Sequence, residues 1–185
     1  MTRPRLALLL VASAAVTATL GSCVGGGSDR TTPTPEDKSP ALVVADAPSI
    51  PDTVDALPPI DAAGFDAILA EARGTPMVVN FWASWCEPCE REMPLLAAAA
   101  REHAAQIQFL GIDILDTPEA ARGFLARYEV PYPNLFDADG ATRDAVGGLG
   151  QPVTVFYDAE GELVAKADGE LSADDLEASL DLIRS

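Results

Sequence analysis

Met77-Val78-Val79-Asn80-Phe81-Trp82-Ala83-Ser84-Trp85-Cys86-Glu87-Pro88-Cys89 is the stretch that decides the fold of this chain. Its first half is an apolar run of strand length, broken only by Asn80, and reads as a buried strand. Its second half places two cysteines around Glu87-Pro88, where Pro88 pre-sets the first turn of a helix. A cysteine there lies at the positive end of the helix, where its thiolate is favoured. Cys86 is thus the expected nucleophile. Cys89, one turn in, is the expected resolving thiol, which attacks a mixed disulfide and releases the partner.

Upstream, Phe65, Ile68, Leu69 and Ala72 recur at helical spacing, with Asp61 near the start and Gly74 past the end. Downstream, residues 88–105 read as a helix that Pro94 should kink, and 107–114 as a second apolar strand. Thr117-Pro118-Glu119 supplies an N-cap, a first-turn proline and a first-turn acid. The helix it opens carries Ala121, Phe124, Leu125 and Tyr128 on one face. Residues 134–137 form a short strand, and Asp139-Gly140 turns the chain into a short helical piece ending near Gly147-Gly148. Strands at 153–157 and 163–167, joined by the turn 158–161, make a hairpin. Residues 172–183 close the chain as a helix, capped by Ser172 and Asp175, with Leu176, Leu180 and Ile183 facing inward. This order predicts an α/β domain over residues 60–185, a mixed sheet flanked by helices.

Residues 1–22 read as a targeting segment. Arg3 and Arg5 form a basic head, and the apolar run 6–20 falls short of the roughly 20 residues that span a bilayer. Leu20-Gly21-Ser22-Cys23 resembles the bacterial lipoprotein signal, in which cleavage leaves the cysteine N-terminal and acylated. An ordinary cleaved signal and an uncleaved anchor are the alternatives. Residues 23–59, rich in Gly, Ser, Thr, Pro and Asp, read as a tether spanning about 30–36 Å as a flexible coil, although 41–50 can add an edge strand. With a lipid on Cys23, the odd cysteine is accounted for and Cys86 and Cys89 remain as a pair in a disulfide-permissive compartment. The chain has 29 acids against 12 Lys and Arg, a formal net charge of −17. No basic face is available for nucleic acid or for lying flat on anionic lipid.

A bare Cys-x-x-Cys also fits half a zinc site or a structural disulfide. Zinc needs about four ligands, and beyond the pair only His103, far along the helix, is on offer. A two-residue spacer closes too small a loop to constrain the unfolded chain much. Strand, Trp-Cys-x-Pro-Cys and kinked helix together point to the thioredoxin fold. The run from Asn80 to Cys89, with Glu92 and Pro94 following, resembles the TlpA/ResA/DsbE group of extracytoplasmic thioredoxin-like proteins. Gly150-Gln151-Pro152-Val153-Thr154-Val155-Phe156 and the turn 158–161 match that group's second signature.

The resemblance implies a thioredoxin-like fold with the TlpA-like insertion, a redox-active Cys86–Cys89 disulfide and no cofactor. Membrane-attached members act as disulfide reductases or oxidases, several in cytochrome c maturation. The implied partners are disulfide- or thiol-containing extracytoplasmic proteins and a membrane electron-transfer partner. Glu92 falls where ResA-like members carry an acid/base glutamate; the residues alone also allow a solvated carboxylate beside Glu90 and Arg91. Asn80 stands where thioredoxin proper has a buried aspartate and cannot shuttle a proton. Pro152 is expected to be cis and to face the cysteines, leaving the backbone of Gln151 to pair with an extended substrate; the Gln151 side chain is either a specificity residue or surface filler. Trp85 is expected to form an apolar rim for docking and Trp82 to pack. His103 is expected to cap its helix as a cation.

Glu87, about 8 Å from Cys86, disfavours its thiolate by roughly 1–2 kcal/mol at an effective dielectric near 20. That tilts the reading toward a reductase, with an oxidase for secreted proteins as the alternative. A Cu(I)-binding metallochaperone is a further alternative, since two thiolates can hold Cu(I), but the spacer is one residue short of the relatives that do so. A peroxidase would need Pro and Thr where Val79 and Ala83 stand.

Overall fold

The computed structural model describes residues 49–185. The targeting segment, Cys23, the tether up to residue 48 and most of the optional strand at 41–50 lie outside the described residues. The elements are α1 (Ala62–Glu71), β1 (Met77–Trp82), α2 (Glu87–His103), β2 (Gln108–Ile114), α3 (Pro118–Arg127), β3 (Asn134–Asp137), α4 (Ala141–Ala145), β4 (Val153–Tyr157), β5 (Leu163–Asp168) and α5 (Ala173–Ile183). The expected caps are formed: the side chains of Asp61, Thr117 and Ser172 accept from the backbone N–H groups of Gly64, Ala120 and Asp175. α2 runs on through Pro94.

The five strands form one mixed sheet in the order β3-β2-β1-β4-β5. β1 pairs in parallel with β2, and β2 with β3. β4 runs antiparallel to both β1 and β5. Alternate residues of β1 serve opposite faces. Val78 and Trp82 pack with α2, α3 and α5 through Met93, Leu96, Phe124 and Leu180. Met77, Val79 and Phe81 pack with Phe65 and Ile68 of α1. This is the thioredoxin-like α/β arrangement expected of the chain.

The folded unit begins before residue 60, the boundary expected for it. Leu57 is buried in the core. The carbonyl of Pro58 accepts from the N–H of Phe136 at 3.0 Å, and the N–H of Ile60 donates back to the Phe136 carbonyl at 2.9 Å. These residues cover the open edge of β3, which would otherwise expose unpaired backbone. On its other edge β3 pairs with β2, where Gly111 lies opposite Asn134. A Cβ on Gly111 would overlap the Asn134 amide, with Cγ at 2.8 Å, and meet the Trp82 Nε1 at 2.9 Å. The missing side chain lets Asn134 Oδ1 accept the Trp82 indole N–H at 3.1 Å.

Candidate active site

Cys86 ends the loop after β1 and is the N-cap of α2. It is joined to Cys89 by a disulfide, with Cα atoms 5.2 Å apart. The Cys86 Sγ accepts the backbone N–H of Cys89 at 3.2 Å, so the helix N-terminus is directed at this sulfur. Cys86, the expected nucleophile, is the more exposed of the two sulfur-bearing residues. The margin is narrow: 4% against 0% for Cys89.

Glu92 is 1% exposed, one turn beyond Cys89, and is not the solvated carboxylate that the residues alone allowed. Its Oε1 accepts from Asn80 Nδ2 at 2.9 Å, and its Oε2 from the N–H of Leu171 at 3.0 Å. The Asn80 amide also donates to Thr154 Oγ1 at 3.0 Å. Burial raises the Glu92 carboxyl to about 7, and the two hydrogen bonds from Leu171 and Asn80 only partly oppose that rise. A carboxyl half-ionised near neutrality can take or return a proton at small driving force.

Glu87 is not positioned to act as expected. Its side chain is 85% exposed and forms an ion pair with Arg91 at 2.9 Å. In water-like dielectric its effect across about 8 Å is nearer 0.5 kcal/mol, and Arg91 opposes it. Pro88 sits in the first turn of α2 as expected.

The Gln151-Pro152 peptide is cis, as expected. The Gln151 side chain does not face outward as a specificity residue would: its Oε1 accepts from Arg143 Nη1 at 3.4 Å, and its Nε2 is buried. Its backbone N–H and C=O take no partner among the described residues. His103 is buried in the last turn of α2 and does not cap it from solvent. The backbone N–H groups of Gln106 and Ile107 close that helix end on the His103 carbonyl instead. Trp82 is fully buried and stacks on Phe124, with ring centroids 4.6 Å apart. Trp85 is 60% exposed, and its indole N–H donates to the Leu115 carbonyl at 3.1 Å.

Three neighbours escaped the sequence reading. Asp116 Oδ2 accepts the Ser84 N–H at 2.6 Å and so fixes the loop ahead of Cys86. Asp113 is fully buried in β2, with neither oxygen bonded among the described residues. Burial and the nearby Asp116 charge raise it to about 9. Its signal was an acid between Ile112 and Ile114 in an otherwise apolar strand. Leu115 has a φ of 55°, a left-handed conformation that costs a branched-chain residue about 1–2 kcal/mol. Nothing in the sequence marked it.

The AhpC/TSA family model matches residues 49–166. Among curated relatives, the thiol-disulfide oxidoreductase ResA of Bacillus thuringiensis subsp. konkukian is 27% identical over 121 residues, covering 65% of this chain and 70% of that one. The thiol:disulfide interchange protein HelX of Rhodobacter capsulatus is 36% identical over 110 residues, covering 58% and 60%. Among solved structures, a secreted Mycobacterium tuberculosis disulfide oxidoreductase homologous to E. coli DsbE aligns with a TM-score of 0.56 at 31% identity, covering 61% and 85%. The chain belongs to the AhpC/TSA family and is a thiol-disulfide oxidoreductase with a Cys-x-x-Cys pair on a thioredoxin-like fold.

Proposed function

We propose that the chain reduces disulfides in extracytoplasmic proteins while tethered to a membrane through a lipid on Cys23. The observation that carries the catalytic part is the Cys86–Cys89 pair at the start of α2 with the buried Glu92 carboxyl one turn on. In the reduced protein the Cys86 thiolate, favoured by the Cys89 N–H and the helix terminus, attacks one sulfur of a substrate disulfide. A Cys86–substrate disulfide forms, and the other substrate sulfur leaves as a thiolate that solvent protonates. Cys89 then gives its proton to Glu92 and attacks the Cys86 sulfur. The Cys86–Cys89 disulfide forms and the second substrate sulfur leaves. The substrate has gained two electrons, and a dithiol partner on the membrane side must return the protein to its reduced form.

The backbone N–H and C=O of Gln151, without partners among the described residues, support strand-wise pairing with the substrate segment. The reductase direction is supported by the Glu92 carboxylate, whose charge opposes thiolates nearby and so favours the disulfide form of the pair. An oxidase is the second reading, favoured by the N–H directed at Cys86. Cytochrome c maturation is the substrate setting that the sequence resemblance implies. Cys86→Ala should abolish exchange with a protein disulfide while the fold survives; retained exchange would refute the assignment. Titration against glutathione decides direction, and a potential near roughly −120 mV would reverse it to oxidase. Mass spectrometry of the membrane-extracted protein tests the lipid on Cys23.

A further inference from the structure

The chain passes from the end of β5 at Asp168 to the N-cap of α5 at Ser172 through Gly169, Glu170 and Leu171. Each of these residues touches a different part of the site. The N–H of Gly169 donates to the carbonyl of Pro152, the residue after the cis bond, at 2.9 Å. Glu170 Oε2 accepts from Arg91 Nε at 2.8 Å. The N–H of Leu171 donates to Glu92 Oε2 at 3.0 Å. Two consecutive residues of α2 thus meet two consecutive residues of this strap. Arg91 meets Glu170 at the surface, and Glu92 meets Leu171 in the interior.

The Leu171 side chain is buried in the core and anchors the strap on its apolar side. The backbone N–H and C=O of Glu170 take no partner among the described residues. The polar anchor at the middle of the strap is therefore the Glu170 carboxylate on Arg91. Arg91 is also paired with Glu87 at 2.9 Å, so its guanidinium is held between two carboxylates. An exposed ion pair adds little to global stability; here it stands next in sequence to the N–H that reaches Glu92. Few groups bear on that carboxyl. Burial raises it, the bonds from Leu171 and Asn80 lower it, and the Glu170 charge raises it. Burial, and then the Glu92 charge, raise the nearby Tyr132 hydroxyl. Cys89 lies one turn before Glu92 on α2.

We propose that Glu170 is a positioning residue: through Arg91 it holds the β5–α5 strap so that the Leu171 N–H stays on the Glu92 carboxylate. The inference rests on the oxidoreductase reading above, in which Glu92 takes the Cys89 proton, and assigns the residue that keeps this acceptor in place. Glu170 bears on Glu92 in two opposed ways. Its charge makes ionisation of Glu92 harder, and the bond it secures from Leu171 makes ionisation easier.

Two variants separate these effects. Glu170→Gln removes the charge and keeps an oxygen that can accept from Arg91. Glu170→Ala removes the charge and the oxygen together. Both keep the buried Leu171 side chain, so the fold should persist, as the amide spectrum of each variant would show. The test follows the full chain, oxidised, by NMR from about pH 5 to about pH 9. It reads the side-chain carboxyl carbon of Glu92 and the amide proton of Leu171. The inflection for Glu170→Ala should lie about half a pH unit above that for Glu170→Gln, the reach of one exposed hydrogen-bonded pair. The Leu171 proton should respond less to the titration in Glu170→Ala than in Glu170→Gln. Asp181→Ala, which removes an exposed ion pair on α5, should keep the wild-type inflection. Coincident inflections, an inflection for Glu170→Ala below that for Glu170→Gln, or an undiminished Leu171 response would each overturn the positioning role while leaving the oxidoreductase reading standing. The pH profile of glutathione-disulfide reduction by the reduced variants should move with the inflection. A profile that stays fixed while the carboxyl moves would leave the strap standing and refute the proton step assigned to Glu92. A Glu92 carboxyl with no inflection in the wild type would overturn both.

Discussion

Replacing Glu92 by glutamine keeps the shape of the side chain and removes its charge. The magnitude follows from titration. Glu92 moves from 4.5 to about 7 on folding, a span of about 2.5 on the pH scale at 1.36 kcal/mol for each step of one. The native state therefore holds a proton that the unfolded state has released between these limits. Stability falls as pH rises through that window and levels off above it. The ionised carboxylate thus costs the folded protein about 3 kcal/mol at pH 8.5 and nothing at pH 4. The amide of the Glu92→Gln variant does not titrate. It also turns an NH₂ toward one of the two donors, Asn80 Nδ2 or the Leu171 N–H. That mismatch costs about 1–2 kcal/mol at every pH.

The assay is urea unfolding of the oxidised protein at pH 4, 5.5, 7 and 8.5, taking variant minus wild type at each. Asp113 and other groups titrate in both proteins and cancel in the difference. The difference should rise by about 3 kcal/mol from pH 4 to 8.5, with its midpoint between 4.5 and 7. It should begin at a net loss of about 1–2 kcal/mol and end at a net stabilisation of about 1–2 kcal/mol. Exchange by the same variant should be slower at neutral pH and lack an inflection near 7. Parallel stability profiles would show that folding does not raise the Glu92 carboxyl, and a proton acceptor balanced near neutral pH would go with it.

Gly111→Ala would drive a Cβ into the Asn134 amide and the Trp82 indole N–H. Urea unfolding should register a loss of about 2–3 kcal/mol, with altered Trp82 fluorescence; a loss under about 0.5 kcal/mol would mean that Asn134 yields freely. Glu87→Gln should shift the reduction potential by less than about 10 mV, since its exposed charge exerts only about 0.5 kcal/mol on Cys86 before Arg91 opposes it. A shift of about 30 mV or more would restore Glu87 as the residue that sets the potential.

The strands and helices were legible because each carried its own punctuation. Phe65, Ile68 and Leu69 gave the period of α1, Thr117-Pro118 the start of α3 and Ser172 that of α5. The site was legible where chemistry is sequence-local: Cys86, Pro88 and Cys89 occupy one turn. It was illegible where a role depends on distant residues. Glu87 reads as a bare charge until Arg91 is seen across the turn, itself held by Glu170 at 2.8 Å. Gln151 reads as outward until Arg143 takes its amide oxygen. His103 reads as a capping cation until the backbone of residues 106–107 closes the helix beneath it. Leu115 escaped because leucine ordinarily avoids the left-handed region, so no local preference announces it there.

Two buried carboxyls lie on the same face of the sheet, and their different surroundings divide their work. Asp113 sits in β2, level with Trp82 of β1. At about 9 it stays protonated through neutral pH and adds no charge to that face. Its neighbour Asp116 fixes Ser84 and thereby the loop that presents Cys86. Glu92 shares the helix and buried face of Cys89 and titrates at about 7, where proton transfer in either direction is nearly balanced. Asn80 contributes a hydrogen bond to Glu92 and has no proton to pass, so Glu92 is the only acid in the Asn80–Glu92–Thr154 cluster. With the Glu87 charge exposed and opposed by Arg91, the buried charge on which the proposed preference for the disulfide over the dithiol rests is that of Glu92. That preference switches on as pH rises through 7. The reductase reading thus rests on a buried residue three positions beyond the Cys-x-x-Cys pair and not on the residue between its cysteines.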